Sequence, residues 1–276
     1  MLISVITTVS LSGIMLINSS CKKSSPTENV ESAQQIVDSI PVIPGWTLVW
    51  NDEFTDTAVD LKKWDFEVNG DGGGNNELQY YTAPPQNAYI DSGHLVIEAY
   101  KEAYMGKQYT SARMRTKNKG DWTYGMFVVR AKLPYGRGMW PAIWMLPTDA
   151  VYGGWPLSGE IDIMEMLGHE TNKVYGTIHY GSASGAHAQT GTSYVLPSGT
   201  FSDDYHTFTL IWDITGFSWD VDGHNYFNAD HRQPFDKRFH ILLNVAVGGN
   251  WPGSPDQTTR FPQRMYIDYV RVYSKN

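Results

Sequence analysis

Residues 159–168 read Gly159-Glu160-Ile161-Asp162-Ile163-Met164-Glu165-Met166-Leu167-Gly168. Three carboxylates stand here among isoleucine, methionine and leucine, where a charge is costly unless it is paired or used. On a β-strand Glu160 and Asp162 share a face, because side chains alternate with a period of two, and Glu165 faces the other way. One extra residue, a β-bulge near Met164, would bring all three acids onto one face, and bulges recur beside active sites. The alternative is a half-buried strand with a solvated acidic face.

The composition favours a large all-β domain that binds an uncharged ligand. The chain has 276 residues, a formal net charge of -8, 13% aromatic residues and only 18% charged residues. A chain of this size can fold as one β-sandwich, and its negative charge argues against nucleic acid as a partner. The 10 Trp and 17 Tyr residues suit a neutral sugar polymer whose apolar ring faces stack on aromatic side chains. We expect a monomer.

The N-terminal residues are typical of an exported protein. Residues 2–17 form an apolar stretch that is short for a membrane span and suited to a secretory signal. Small residues then precede Cys21, the only cysteine, as at a bacterial lipoprotein cleavage site, where the cysteine becomes the lipidated first residue. We therefore predict a signal peptide over 1–20, a flexible tether over 21–44 and a folded domain over 45–276. The anchored form would be a bacterial membrane lipoprotein, and the alternative is plain secretion.

From Trp46 onward, short alternating segments are separated by turn residues, which predicts an antiparallel β-sandwich or jelly roll. Hairpin signals occur at Asp91-Ser92-Gly93 and at Asp222-Gly223. No segment shows a sustained helical period. Three long loops, over 69–86, 181–200 and 248–260, are expected to rim a cleft. The predicted strands cover 47–50, 88–90, 94–99, 109–116, 124–133, 139–146, 160–166, 174–180, 206–213, 217–221, 239–247 and 265–273.

Several other catalytic chemistries lack their sequence patterns. Residues 70–75 miss the last glycine of a dinucleotide fingerprint, and 181–185 have alanine where a nucleophile elbow has serine. His179, His187 and His206 show no metal-ligand spacing. Carboxylate chemistry remains. Glycoside hydrolysis needs two carboxyl groups that flank the scissile bond, and a separation of about 5–5.5 Å gives retention of configuration.

Tryptophans surround the acidic segment and are candidate sugar platforms. Trp140 and Trp144 precede it on a predicted strand, Trp155 lies five residues before Glu160, and Trp251 stands on the third predicted loop. Because tryptophan is highly buried on average, each of them could instead belong to the core, and Trp144 fits either role. The tryptophans that we assign to the core are Trp50, Trp64, Trp212 and Trp219.

These residues resemble glycoside hydrolase family 16, in its laminarinase (endo-β-1,3-glucanase) branch. The acids of residues 160–165 match the family's E-x-D-x-x-E signature in its bulged form. The resemblance extends from about Trp46 to Tyr273. The other matching segments are Trp50-Asn51-Asp52-Glu53-Phe54, Asn76-Glu77-Leu78-Gln79-Tyr80-Tyr81-Thr82, Ser111-Ala112-Arg113, Trp140-Pro141-Ala142-Ile143-Trp144-Met145-Leu146, Gly176-Thr177-Ile178-His179-Tyr180 and Ile267-Asp268-Tyr269-Val270-Arg271-Val272-Tyr273.

The resemblance implies a β-jelly-roll sandwich of two curved antiparallel sheets with a glucan cleft on the concave side. It implies that Glu160 is the nucleophile, that Glu165 is the general acid/base, and that Asp162 orients and tunes the pair. No cofactor is expected for catalysis, but many members bind a structural Ca²⁺ far from the chemistry. The matching calcium positions are Glu53, the backbone oxygen of Gly93, and Asp268. The substrate-binding positions carried over are Asn75, Arg113, Trp140, Trp144, Trp155 and His179, and Trp251 lies on a loop at the cleft edge.

The expected activity is endo-hydrolysis of laminarin-type or mixed-linkage β-glucan with retention of configuration. A second interpretation keeps this mechanism and changes the polymer to agarose, porphyran, carrageenan or lichenan. Enzymes that act on these galactans need side chains that bind sulfate or anhydro-sugars. Arg113 is the one obvious cation near the predicted cleft. A third interpretation is a glucan-binding lectin on the same fold. Family members of that type lose the catalytic acids, whereas this chain keeps Glu160, Asp162 and Glu165.

Overall fold

The computed structural model describes residues 40–182 and 184–276. These residues form 18 β-strands. In chain order the strands are β1 (Trp46–Asp52), β2 (Asp65–Glu67), β3 (Gln79–Tyr81), β4 (Ala88–Asp91), β5 (His94–Ala99), β6 (Tyr109–Ser111), β7 (Arg113–Arg115), β8 (Asp121–Trp122), β9 (Gly125–Lys132), β10 (Met139–Pro147), β11 (Glu160–Glu165), β12 (Lys173–Gly181), β13 (His187–Val195), β14 (His206–Asp213), β15 (Gly216–Val221), β16 (His224–Asp230), β17 (Phe239–Val247) and β18 (Gln263–Lys275).

The strands form two antiparallel sheets of eight strands each, which confirms the predicted all-β jelly-roll sandwich. The first sheet has the order β16-β15-β14-β9-β18-β5-β4, with β1 also paired to β18. The second sheet has the order β13-β12-β11-β10-β17-β7-β2, with β8 paired to β17. Strands β3 and β6 form a separate parallel pair. Within the described residues there is no helix long and apolar enough to cross a membrane.

Most predicted strands are present, but two predicted loops were wrong in part. The predicted strand 109–116 is divided into β6 and β7, and the predicted loop 69–86 contains β3. The predicted loop 181–200 contains β13, an edge strand that pairs with β12 alone in its sheet. A strand at an edge has one free side and can be polar on both faces. Strand β13 is of this kind, so it gives no alternation to recognise.

The compact unit in the described part is Val42–Asn276. Its core lies between the two sheets, where Trp64, Trp212 and Trp219 are buried as predicted and Trp50 is half-buried against them. The predicted signal peptide, Cys21 and the tether as far as residue 39 lie outside the described residues. Those assignments stay predictions.

The predicted bulge lies in β11. Between Asp162 and Glu165 the strand advances three residues while its partner β12 advances two, from Thr177 to Tyr175. The pairing with β10 shifts at the same point. As a result Ile163 and Met164 are consecutive in sequence and both buried in the core. Glu165 therefore returns to the face that carries Glu160 and Asp162.

An indole from the opposite sheet stabilises the bulged backbone. Trp219 on β15 is 1% exposed, and its Nε1–H donates a hydrogen bond of 2.9 Å to the backbone carbonyl of Asp162. Gly176 on β12 makes room for this indole, because a Cβ at Gly176 would lie 2.7 Å from Trp219 Cδ1 and 2.5 Å from Tyr226 Oη. The first sheet thus holds the strand that carries the acids by a direct polar contact.

Replacing Trp219 by phenylalanine removes this hydrogen bond and leaves a buried carbonyl without its partner. We expect Trp219→Phe to lower the free energy of unfolding by about 1–3 kcal/mol beyond the cost of the smaller ring. Trp212→Phe is the matched control, because Trp212 is also fully buried and its Nε1 has no hydrogen-bond partner among the described residues. Thermal or urea unfolding of both variants measures the difference, and equal destabilisation would contradict the role of the bond.

Candidate active site

The three acids of β11 lie on the side of the second sheet that faces away from the core, which we call the cleft face. The intervening Ile161, Ile163 and Met164 belong to the core, so the alternation and the bulge together leave the acids outside it. Asp162, between the other two, is only 2% exposed, and the two glutamates are half-buried. The structure thus brings together the three predicted catalytic residues.

Each outer glutamate accepts a hydrogen bond from a tryptophan of the predicted sugar-binding set. Trp140 Nε1–H donates to Glu165 Oε1 over 2.9 Å, and Trp155 Nε1–H donates to Glu160 Oε2 over 2.9 Å. Trp155 is 57% exposed, so its ring also presents a large apolar surface to solvent. The two indoles therefore fix one oxygen of each carboxyl group and form walls beside the acids.

His179 on β12 lies beside the Glu160 end of the acid row. Its Nε2 lies 3.1 Å from Asp162 Oδ2 and 4.0 Å from Glu160 Oε1. Ligand-type atoms of Glu160, Asp162 and His179 lie within 4.8 Å of one another, which makes them the one group of at least three acidic, histidine or cysteine side chains in the described residues that could hold a metal ion. The spacing of the histidines alone did not predict this grouping, because the two strands bring it together.

Burial is the main influence on the ionisation of the acids. It raises the pKa of Glu160, Asp162 and Glu165, and that of Glu165 reaches about 8. The Asp162 carboxylate raises the pKa of both glutamates further. His179 and the Trp155 N–H act in the opposite direction on the pKa of Glu160, and the Trp140 N–H and His179 do so on the pKa of Glu165. Burial prevails at all three acids, which therefore hold a proton more readily than solvent-exposed carboxyl groups do.

Trp144 contacts a network of polar side chains in which only Arg113 was predicted to belong to the site. Its Nε1–H donates to Asn244 Oδ1 over 2.7 Å, and Asn244 donates in turn to Tyr81 Oη over 3.2 Å. The guanidinium of Arg113 lies 5.2 Å from the Trp144 ring and 3.5 Å from the carboxylate of Glu77. Tyr81 and Glu77 stand in a segment quoted for the family resemblance, whereas no sequence signal pointed to Asn244.

The remaining predicted binding residues lie at the Glu165 end of the acid row. Trp251 is 40% exposed and meets Trp140 edge-on, with ring centroids 5.6 Å apart. Tyr175, which was not predicted, packs edge-on against Trp251 at 4.9 Å. The backbone carbonyl of Asn75 accepts a hydrogen bond of 2.8 Å from the backbone N–H of Asn250, which ties the two predicted loops together. These residues extend the aromatic surface beyond Glu165.

The two carboxylates among the predicted calcium ligands, Glu53 and Asp268, are in ion pairs. Both oxygens of Glu53 accept hydrogen bonds from Arg271, at 3.0 and 2.7 Å. Asp268 contacts Arg130 at 2.5 Å and His94 at 3.7 Å. Since guanidinium groups already neutralise both carboxylates, this donor set does not favour a further cation. Calcium at this position stays a prediction.

Known proteins similar to this chain include enzymes that are named as glucanases. The β-glucanase of Rhodothermus marinus is 46% identical over 249 residues, which cover 83% of this chain and 86% of that protein. A glucan endo-1,3-β-glucosidase of Cryptopygus antarcticus is 39% identical over 254 residues, covering 84% and 93% of the two chains. The laminarinase catalytic domain of Thermotoga maritima superposes with a TM-score of 0.78 at 47% identity, covering 84% and 99%. The profile of glycosyl hydrolases family 16 matches residues 75–271, and the chain belongs to that family.

Proposed function

We propose that the protein is a retaining endo-glycosidase that cleaves β-1,3-glucan. The observation that carries this proposal is the placement of Glu160 and Glu165 on one face of a bulged strand, each receiving a hydrogen bond from a tryptophan that also walls the cleft face. A β-glucanase and a glucan endo-1,3-β-glucosidase are 46% and 39% identical to this chain over most of their length, which supports the same assignment.

The position of each glutamate in the family signature assigns its role. In double displacement one carboxylate attacks the anomeric carbon while one carboxylic acid protonates the departing oxygen. Glu160 stands at the nucleophile position of the signature, and its Oε1 lies 4.0 Å from Nε2 of His179. Glu165 stands at the acid position, and burial and the Asp162 charge raise its pKa, which suits a group that must deliver a proton. Once the covalent glycosyl-enzyme has formed, Glu165 has lost its proton and can act as the base for water.

The charges of the site favour a neutral glucan over a sulfated galactan. Arg113, the cation that the sequence offered for a sulfate group, is 12% exposed and lies 3.5 Å from each of Glu67 and Glu77. A guanidinium shared by two carboxylates has little positive potential left for an anionic sugar. The aromatic walls need no charge on the ligand, since sugar rings stack on them by their apolar faces.

Substitution of the two glutamates separates their roles. We expect Glu160→Gln to lower kcat on laminarin by roughly 10⁴-fold or more, because the nucleophile is lost. Glu165→Gln should lower the rate on laminarin by about 10²–10⁴-fold. It should lower the rate on an aryl β-laminaribioside with a good leaving group much less, because that group departs without a proton. Proton NMR of the wild-type reaction should show the β-anomer as the first product.

The control for these variants is Glu102→Gln, at an exposed glutamate that bonds Gln86 and Thr110. Near-normal turnover by Glu160→Gln, or an α-anomer as the first product, would overturn the proposed mechanism. Parallel assays on laminarin, lichenan, agarose and carrageenan, with sizing of the products, test the substrate. Higher activity on agarose or carrageenan than on laminarin would replace the glucan assignment and leave the mechanism in place.

The raised pKa of Glu165 also predicts a pH-dependent gain in stability when its charge is removed. An acid whose pKa rises from 4.5 to about 8 on folding stabilises the protein below pH 4.5, and this stability is lost as the pH rises towards 8. Glu165→Gln should therefore raise the free energy of unfolding at pH 7.5 by roughly 1–3 kcal/mol, or about 2–4 °C in Tm per kcal/mol. The two proteins should have nearly equal Tm at pH 4.5, and a pH-independent difference would contradict this explanation.

We also propose that the protein is exported and held at a bacterial membrane by a lipid on Cys21. The support is the apolar stretch 2–17, the small residues before Cys21 and the polar segment that follows it. Cys21→Ser should move glucanase activity from the membrane fraction to the soluble fraction without changing its kcat. Activity that stays with the membranes in this variant would contradict the lipid anchor.

A further inference from the structure

His187 lies at the edge of the second sheet, where its side chain reaches the cleft face. It begins β13 and pairs with Gly181 of β12, so the two residues share a face. On β12 that face also carries His179, two residues earlier. Gly181 has no side chain to stand between them. The His187 ring therefore lies diagonally against His179.

The contacts of His187 lead to the catalytic acids by two routes. Its Nε2 is 2.9 Å from Nδ1 of His179, and the two ring planes are 21° apart. On the other side its ring packs against Trp155 with centroids 4.8 Å apart. His179 continues to Asp162 at 3.1 Å, and Trp155 continues to Glu160 at 2.9 Å. The titratable groups in contact with this histidine pair are thus Glu160 and Asp162.

A short N···N contact between two imidazoles holds one proton, and its position decides what His179 presents to Asp162. Burial lowers the pKa of His187, so His187 is neutral at pH 7. If His187 donates, His179 accepts at Nδ1 and a neutral His179 carries its own proton on Nε2, facing Asp162. If His187 accepts, a neutral His179 turns a lone pair towards Asp162. The second arrangement opposes a lone pair to a carboxylate over 3.1 Å.

We propose that His187 is a positioning residue that donates from Nε2–H to Nδ1 of His179 and so fixes the N–H of His179 towards Asp162 and Glu160. The inference rests on the glycosidase function proposed above and adds the residue that sets the tautomer of His179. A histidine tautomer is set by the hydrogen bond that its other nitrogen makes. His187 thereby favours negative charge on the carboxylates beside Glu160 without touching the substrate's reacting atoms.

Two substitutions separate donation from packing. His187→Phe keeps a ring against Trp155 and removes the donor, whereas His187→Gln keeps an N–H that can reach Nδ1 and removes the ring. We expect His187→Phe to lower kcat on laminarin about 10-fold at pH 7, with KM within about twofold. His187→Gln should restore the wild-type kcat, which a role in packing against Trp155 would not predict.

The tautomer itself can be observed without substrate, by ¹⁵N NMR of the histidine-labelled protein. In the wild type the proton of neutral His179 should lie on Nε2, and in His187→Phe part of the signal should shift to the Nδ1–H form. His224→Phe, at an exposed histidine on the other sheet, is the control and should change neither spectrum nor kinetics of the site. A wild-type His179 protonated on Nδ1, or a Phe variant with the wild-type kcat, would overturn the proposal. The spectrum is independent of the substrate, so an error in the proposed function would leave this result standing.

Discussion

The site depends on one constraint of β-structure, which is that side chains alternate strictly between two faces. Two carboxyl groups five residues apart on a regular strand would lie on opposite sides of the sheet, one in the core and one in the cleft. The extra residue in β11 reverses this parity between Asp162 and Glu165. The core accommodates the change by accepting Ile163 and Met164 in succession. Trp219, from the other sheet, stabilises the bulged backbone by donating a hydrogen bond to the Asp162 carbonyl.

The second constraint is the burial of three acids in one row. Removing carboxylates from water is costly, and neighbouring like charges increase the cost. The protein supplies no lysine or arginine contact to this row within the described residues; two indole N–H groups donate to the glutamates, and an imidazole nitrogen lies 3.1 Å from Asp162. The indole donors orient the carboxyl groups and lower their pKa by less than burial raises it. An acid that must keep a proton near neutral pH requires such an environment.

Strong alternation and motif spacing were enough to predict the sandwich, the bulge and the three acids. The sequence could not show what the pairing of distant strands brings together. Asn244 reaches Trp144 only because β17 lies beside β10, and Tyr175 reaches Trp251 only because a loop folds over β12. Arg113 was predicted at the cleft, and its two carboxylate partners come from segments 36 and 46 residues away. Such contacts have no local signature, so the supporting residues of the site were missed while its acids were found.

Edge strand β13 shows why residues that tune a site can be hard to recognise. None of its residues is fully buried, although Tyr194 packs against the core. The sequence pattern there is correspondingly weak, and the segment read as a loop. Its first residue, His187, nevertheless contacts both His179 and Trp155. His179 in turn lies 3.1 Å from Asp162, and Trp155 donates a hydrogen bond to Glu160. An edge position can change without loss of the core, so it can alter the proton arrangement of the acids at little cost in stability. The parity reversal in β11, which the core must accommodate, has no such freedom.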